Sequence, residues 1–381
     1  MELVQKKQRN TGLFTFFISG ICVISAGVVV SLLQEKYGFA YSMTGTLLSL
    51  ISIGNLIAGF ATGILPARIG MKGTMAVLTV GYFLGYLAMA FTGNLAVLSL
   101  AFFIVGIAKG STINCCTILV GNNSKDRTKG MNIMHGCYAV GALLCPFLIA
   151  GALKTGAGPQ IFLSACGFLL WAAFARVPVA EEKRERAKGT DWSFLKSGRF
   201  WLLTGLLFFQ NATEISVTGW LVTYFKGSGV ISGTLSTYTI TVMWGATLIA
   251  RALIAFVIQI KDTCKAMIWM GIFCTIFYIG LLLAKDQWTA IVLLFAFAFA
   301  MAGLNPIAVA SAGKMTSVTS MGIMLPAASS GAILMPWIIG LVAENFGIGA
   351  GMSCNIVSCG GMLLFAVAVK YCSGRSARLP R

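Results

Sequence analysis

Twelve apolar runs, each long enough to cross a bilayer as a helix, follow one another along this chain and leave little else to fold. A hydrocarbon core about 30 Å thick needs ~20 apolar residues per helical crossing. The runs fall at about 11–33, 43–66, 74–92, 95–120, 131–153 and 159–178, then 200–225, 232–259, 266–284, 288–310, 319–343 and 348–371. Charged residues make up only 10% of the 381, against roughly 25% in soluble domains, and mean hydropathy is +0.87. The expected fold class is therefore an all-α membrane protein with twelve transmembrane helices. Lys6, Lys7 and Arg9 precede the first run, which lacks a small-residue cleavage site and is expected to be a retained helix.

The net charge of +17 would suggest nucleic acid in a soluble protein, but its placement points elsewhere. With the N-terminus inside, inner segments hold 22 of the 28 Lys and Arg, among them Arg68, Lys72, Lys125, Arg127, Lys129, Lys261, Lys265 and Lys314. Outer loops hold four, namely Lys36, Lys154, Lys226 and Lys285. That bias predicts both termini in the cytoplasm of an inner (plasma) membrane of bacterial type, with inner basic loops meeting anionic lipid. No nucleic-acid partner is expected. Eleven scattered cysteines and one histidine give no disulfide or metal framework, and they read as small packing residues.

The chain is organised in two halves. Residues 1–178 and 200–371 each hold six runs, joined by a polar linker at 179–199 and followed by a tail at 372–381. Met131, Ile133, Met134, Gly141, Ala142, Leu144 and Pro146 recur as Met321, Ile323, Met324, Gly331, Ala332, Leu334 and Pro336, every pair offset by 190. Leu56-Ile57-Ala58 recurs as Leu248-Ile249-Ala250. Two pseudo-symmetric halves of six helices form the architecture of a rocking transporter. In the paired Gly…Pro segments, proline kinks the helix and glycine allows close approach, which predicts tight packing there.

Apart from the basic Arg176 and Lys370 at inner run ends, four charged or imidazole groups look intramembrane: Lys109, His135, Glu214 and Arg251. Counted from the inner helix ends, Glu214 lies ~21 Å deep, Lys109 ~17 Å, Arg251 ~14 Å and His135 ~6 Å. Gln210, Glu214 and Thr218 recur at i, i+4 and i+8, a polar stripe that must face protein or water. A carboxylate at that depth either takes up and releases a coupling proton, or pairs permanently with Arg251. Arginine keeps its proton, so Arg251 serves as countercharge or anion clamp. Lys109, on a modest stripe with Thr112 and Cys116, either attracts an anionic solute or closes a gate with Glu214. Asn114, Tyr138, Gln210, Asn211, Trp220, Tyr224, Trp244 and Asn305 are candidate lining groups; amides and aromatics together suit a hydroxylated or ring-shaped ligand. Trp220 and Tyr224 lie near the outer helix edge, where they could instead belong to an aromatic belt.

No phosphate-binding loop, nucleophile elbow or metal-binding helix motif occurs, so neither a cofactor nor an enzyme is expected.

Several motifs resemble the major facilitator superfamily, and more narrowly its fucose-permease-like branch. The loop Gly63-Ile-Leu-Pro-Ala-Arg68-Ile-Gly70-Met-Lys72 is similar to the superfamily's glycine–acid–basic loop, with Ala67 where aspartate is usual. Glu214, Gly219-Trp220 and Tyr224 resemble the branch's seventh-helix pattern, and Arg251 falls where it often has Gly-Arg. Met134-His135 through Pro146 resembles its fifth-helix stretch, with Cys145 replacing a glycine. The resemblance implies a sugar:proton symporter. The reading from residues is a monomeric secondary transporter of a small polar solute, sugar or sugar derivative favoured, with Glu214 as the proton-coupling residue. Organic-anion transport, drug or metabolite export, and a non-transporting membrane receptor stand as alternatives.

Overall fold

The computed structural model describes residues 2–125, 127–154, 158–178, 193–258, 260–312 and 318–376. Positions 179–192 of the expected linker, Lys314 and the last five residues lie outside them. Among the described residues the chain is helical throughout, with no strand. It divides into two compact units, Met1–Arg184 and Glu185–Arg381.

The first unit contains α1 (Glu2–Tyr37), α2 (Tyr41–Ile64), α3 (Pro66–Thr79), α4 (Gly81–Phe91), α5 (Leu95–Asn122), α6 (Arg127–Lys154) and α7 (Pro159–Arg176). The third expected span is thus built from two helical pieces, α3 and α4. Helix α1 has 36 residues, ~54 Å, and runs about nine residues past the start predicted from hydropathy. Its charged first turns need no lipid burial, and the Gln8 side chain ties them down by donating to the Pro178 carbonyl at 2.6 Å. Within the candidate span that α1 supplies, 78% of the apolar window is buried, against 28% for Thr263–Leu283 in the other unit. The first is packed on most sides by its neighbours; the second leaves most of its residues uncovered. Gly70, at φ +70°, turns the chain inside α3, a conformation that costs a side-chain-bearing residue steric strain.

Small residues set how closely these helices approach. A Cβ on Gly141 of α6 would overlap the Phe17 carbonyl of α1, and one on Gly20 would overlap the Tyr138 carbonyl. Gly54 and Gly106 meet the Phe103 and Ile51 carbonyls in the same way, locking α2 to α5. Buried hydroxyls add directional bonds: Ser19 and Tyr82 lie 3.0 Å apart, and Tyr86 donates to the Cys22 carbonyl.

The second unit contains α8 (Gly198–Ser228), α9 (Gly233–Phe256), α10 (Thr263–Leu283), α11 (Gln287–Met301), α12 (Leu304–Ala312), α13 (Val318–Phe346), α14 (Ile348–Ser353) and α15 (Asn355–Ser376). Asp262 and Asp286 cap α10 and α11 by accepting backbone N–H bonds. Two expected spans are broken here, one between α11 and α12 and one between α14 and α15. Among the described residues eleven helical spans, counting α3 with α4, α11 with α12 and α14 with α15, are apolar and long enough to cross a membrane; α8 falls short on apolarity alone, although it has 31 residues. Gln210, Asn211 and Glu214 are what lower its average, so the span marked out by its polar stripe is also the exception in hydropathy.

Helix α13 repeats the packing of α6: a Cβ on Gly331 would overlap the Phe208 carbonyl of α8. The repeat in sequence is therefore a repeat in packing, with Phe17 and Phe208 as matching partners. Trp220 is fully buried and donates its indole N–H to the Pro336 carbonyl at 3.1 Å, stitching α8 to α13. Trp220→Phe is expected to lower stability by about 1–2 kcal/mol, the worth of a buried hydrogen bond, read as a lower unfolding temperature of the solubilised protein.

Candidate functional site

Three residues singled out in the sequence meet in one hydrogen-bond chain. Gln210 donates from Nε2 to the Glu214 carboxylate one turn along α8. Asn305, at the start of α12, donates from Nδ2 to Gln210 Oε1 at 2.8 Å. Gln210 is 1% exposed, while Glu214 and Asn305 are half-buried. A primary amide suits the middle position because it donates and accepts at once, passing one orientation from Asn305 to the carboxylate. Thr218 completes the stripe differently. Its hydroxyl donates to the Glu214 backbone carbonyl at 2.7 Å and reaches Met243 Sδ of α9 at 3.8 Å.

Arg251 differs from expectation. Among the described residues it forms no ion pair with Glu214; its Nε donates to the Ala302 carbonyl at 3.3 Å. The reason lies four residues on. A helical carbonyl normally accepts from residue i+4, which for Ala302 is Pro306, and proline has no N–H. The backbone ladder resumes only with the Ile307 amide on the Gly303 carbonyl at 3.1 Å. The guanidinium therefore satisfies an acceptor that the sequence itself leaves open.

This helical chain matches the Major Facilitator Superfamily over residues 12–336. It belongs to that superfamily. Its members are transporters, not enzymes, and this chain is a multi-pass membrane transporter. No curated protein matches its sequence. Solved structures share the fold at low identity. The nucleoside transporter NupG superposes with a TM-score of 0.74 at 14% identity, over 97% of this chain and 98% of that one. The POT family transporter PepTSo gives 0.77 at 9% identity, over 98% and 99%. A bacterial homolog of the human lysosomal transporter Spinster, inward-facing and occupied, gives 0.73 at 11% identity, over 97% and 96%.

The other candidates are dispersed over this superfamily fold. In the first unit Lys109 is half-buried on α5, and its stripe mate Cys116 lies 3.3 Å from the Thr15 hydroxyl, so that part of the stripe packs on α1. Asn114 spends its amide on the Thr62 hydroxyl of α2 at 2.8 Å. Tyr138 stacks obliquely on Phe16, centroids 5.1 Å apart, and the exposed His135 meets the same ring edge-on at 5.6 Å. In the second unit Asn211 is half-buried on α8. Trp244 is 8% and Tyr224 4% exposed. Trp220, Trp244 and Tyr224 are thus all buried within the second unit. Sequence reading missed Pro306 and Gly303. Both were legible as a Gly-x-x-Pro interruption within an apolar run. It also missed Asn355, fully buried at the start of α15, whose amide reaches the Thr213 carbonyl of α8 at 3.4 Å.

Proposed function

We propose that this transporter moves a small polar solute, a sugar or sugar derivative in preference, by alternating access, and that Glu214 carries the coupling proton. The observation that supports this most is the chain Asn305–Gln210–Glu214. It keeps a carboxylate within an otherwise apolar span and orients it with neutral amides. Amide donors and acceptors beside it suit hydroxyl-rich solutes, nucleosides included. In this reading the two halves, 1–178 and 200–371, are the moving parts of a rocking transporter joined in sequence by the linker 179–199, and the protein works as a monomer. Both termini, with the tail at 372–381, face the cytoplasm of a bacterial inner membrane, as the lysine and arginine bias supports.

The test is flux in proteoliposomes under an imposed pH gradient, with a panel of sugars, nucleosides and small organic anions. A neutral hydroxylated solute accumulating with the gradient is the expected outcome. Accumulation of anions alone would overturn the solute class. Binding without flux of any member would replace transport by a receptor role.

A further inference from the structure

We propose that Arg251 is a positioning residue: by holding the Ala302 carbonyl it fixes the break between α11 and α12, and so sets the aim of Asn305 into the Gln210–Glu214 chain. The inference rests on the reading of Glu214 as the functional carboxylate.

The argument starts from the backbone. Pro306 deprives Ala302 of its helical donor, and an acceptor left open inside an apolar span is strongly disfavoured. Two residues lie between Ala302 and Asn305, so the orientation of that turn decides where the Asn305 amide points. Gly303 lets the turn lie close against its neighbours. A Cβ there would come within 2.7 Å of Ile254 on α9 and of Met270 on α10. Ile254 is one turn beyond Arg251 on the same helix, so the close approach and the Arg251 bond act on one side of the break. From this fixed turn Asn305 reaches Gln210 at 2.8 Å, and Gln210 reaches Glu214. The guanidinium acts on the carboxylate through the turn and two amides, with no contact between the charges. A group that cannot lose its proton is suited to a fixed strut.

This differs from a countercharge role in what repairs its loss. Pro306→Ala gives Ala302 back an N–H donor and makes the Arg251 bond redundant, whereas a missing countercharge would stay missing. The measurements use the full chain in lipid and need no solute. Infrared difference spectra of the native protein and of Glu214→Gln assign the Glu214 carboxyl band. Arg251→Met is expected to shift that band, Arg251→Lys to shift it less because a donor remains, and Pro306→Ala combined with Arg251→Met to return it to its native position. Thermal unfolding of the two single variants and the double variant forms a cycle in which Pro306→Ala should rescue far more in the Arg251→Met background than alone. The populations of folded protein near the midpoint should differ by about tenfold between the double variant and Arg251→Met, as one recovered hydrogen bond implies.

A band unmoved by Arg251→Met, or a double variant that keeps the displaced band, overturns the proposal. So does an additive cycle. Failure of Glu214→Gln to alter proton-driven accumulation strikes the transport reading alone and leaves the cycle to decide the role of Arg251.

Discussion

Glu214→Gln is expected to abolish proton-driven accumulation while leaving solute exchange intact. With one proton per solute, a gradient of one pH unit supplies about 1.4 kcal/mol and supports roughly tenfold accumulation; the variant should reach no accumulation at all. Glutamine is the informative replacement because its side-chain oxygen can still accept from Gln210 Nε2, so the link to Asn305 and the packing of α8 survive. Only the capacity to exchange a proton is removed. Counterflow of the same solute, measured without a gradient, separates lost coupling from lost binding or folding. Tenfold accumulation by the variant would move the coupling group elsewhere, with Lys109 the next residue to change. Loss of counterflow together with accumulation would make Glu214 a binding group as well, and Gln210→Ala would then show whether its orientation matters to the same step.

How much of this could be read in advance depends on the distance over which each feature acts. The stripe on α8 is local: Gln210 and Glu214 are one turn apart, and periodicity alone placed them on one face. The twelve spans follow from run length, and they include α8, whose average hydropathy is lowered by the groups that matter. The contact of Asn305 with Gln210 joins residues 95 apart in sequence and depends on where a broken helix points, which no pattern states. Arg251 shows the opposite hazard. Counting depth along helices put it within about one and a half turns of Glu214, and opposite charges at similar depth invited a pair. Depth says nothing about which way a side chain leaves its helix, nor about a carbonyl deprived of its donor on a neighbouring one. The proline that created that acceptor was visible in the sequence, but only the fold puts Arg251 beside it. Trp220 was likewise legible as an aromatic near a span end, while its bond to the Pro336 carbonyl belongs to the packing of α8 on α13.

Gly141→Val and Gly331→Val are expected to be the most damaging single changes outside the site, and damaging in parallel. Each glycine lies against a backbone carbonyl of the neighbouring span, Phe17 in one unit and Phe208 in the other. A carbonyl cannot rotate away as a flexible side chain can, so an added Cβ forces whole helices apart. Lipid filling the widened gap gives no hydrophobic return, because TM helices associate by close packing and not by escape from water. Overpacking of this kind costs typically 1–3 kcal/mol, and rigid backbone neighbours place both sites at the upper end. The expected readout is a sharply lower unfolding temperature and a reduced yield of monodisperse protein for both variants. Gly151→Ala, on the same α6 but with open space around its Cβ position, should be neutral or slightly stabilising and serves as the control. The two sites also differ in their bearing on function, because Phe208 stands two residues before Gln210 on α8. Displacing α13 by Gly331→Val presses on α8 next to the amide that orients Glu214, whereas Gly141→Val acts in the other unit. Gly331→Val should therefore lose transport beyond what its yield explains. Equal loss per folded molecule in the two variants would mean that the damage is purely one of packing.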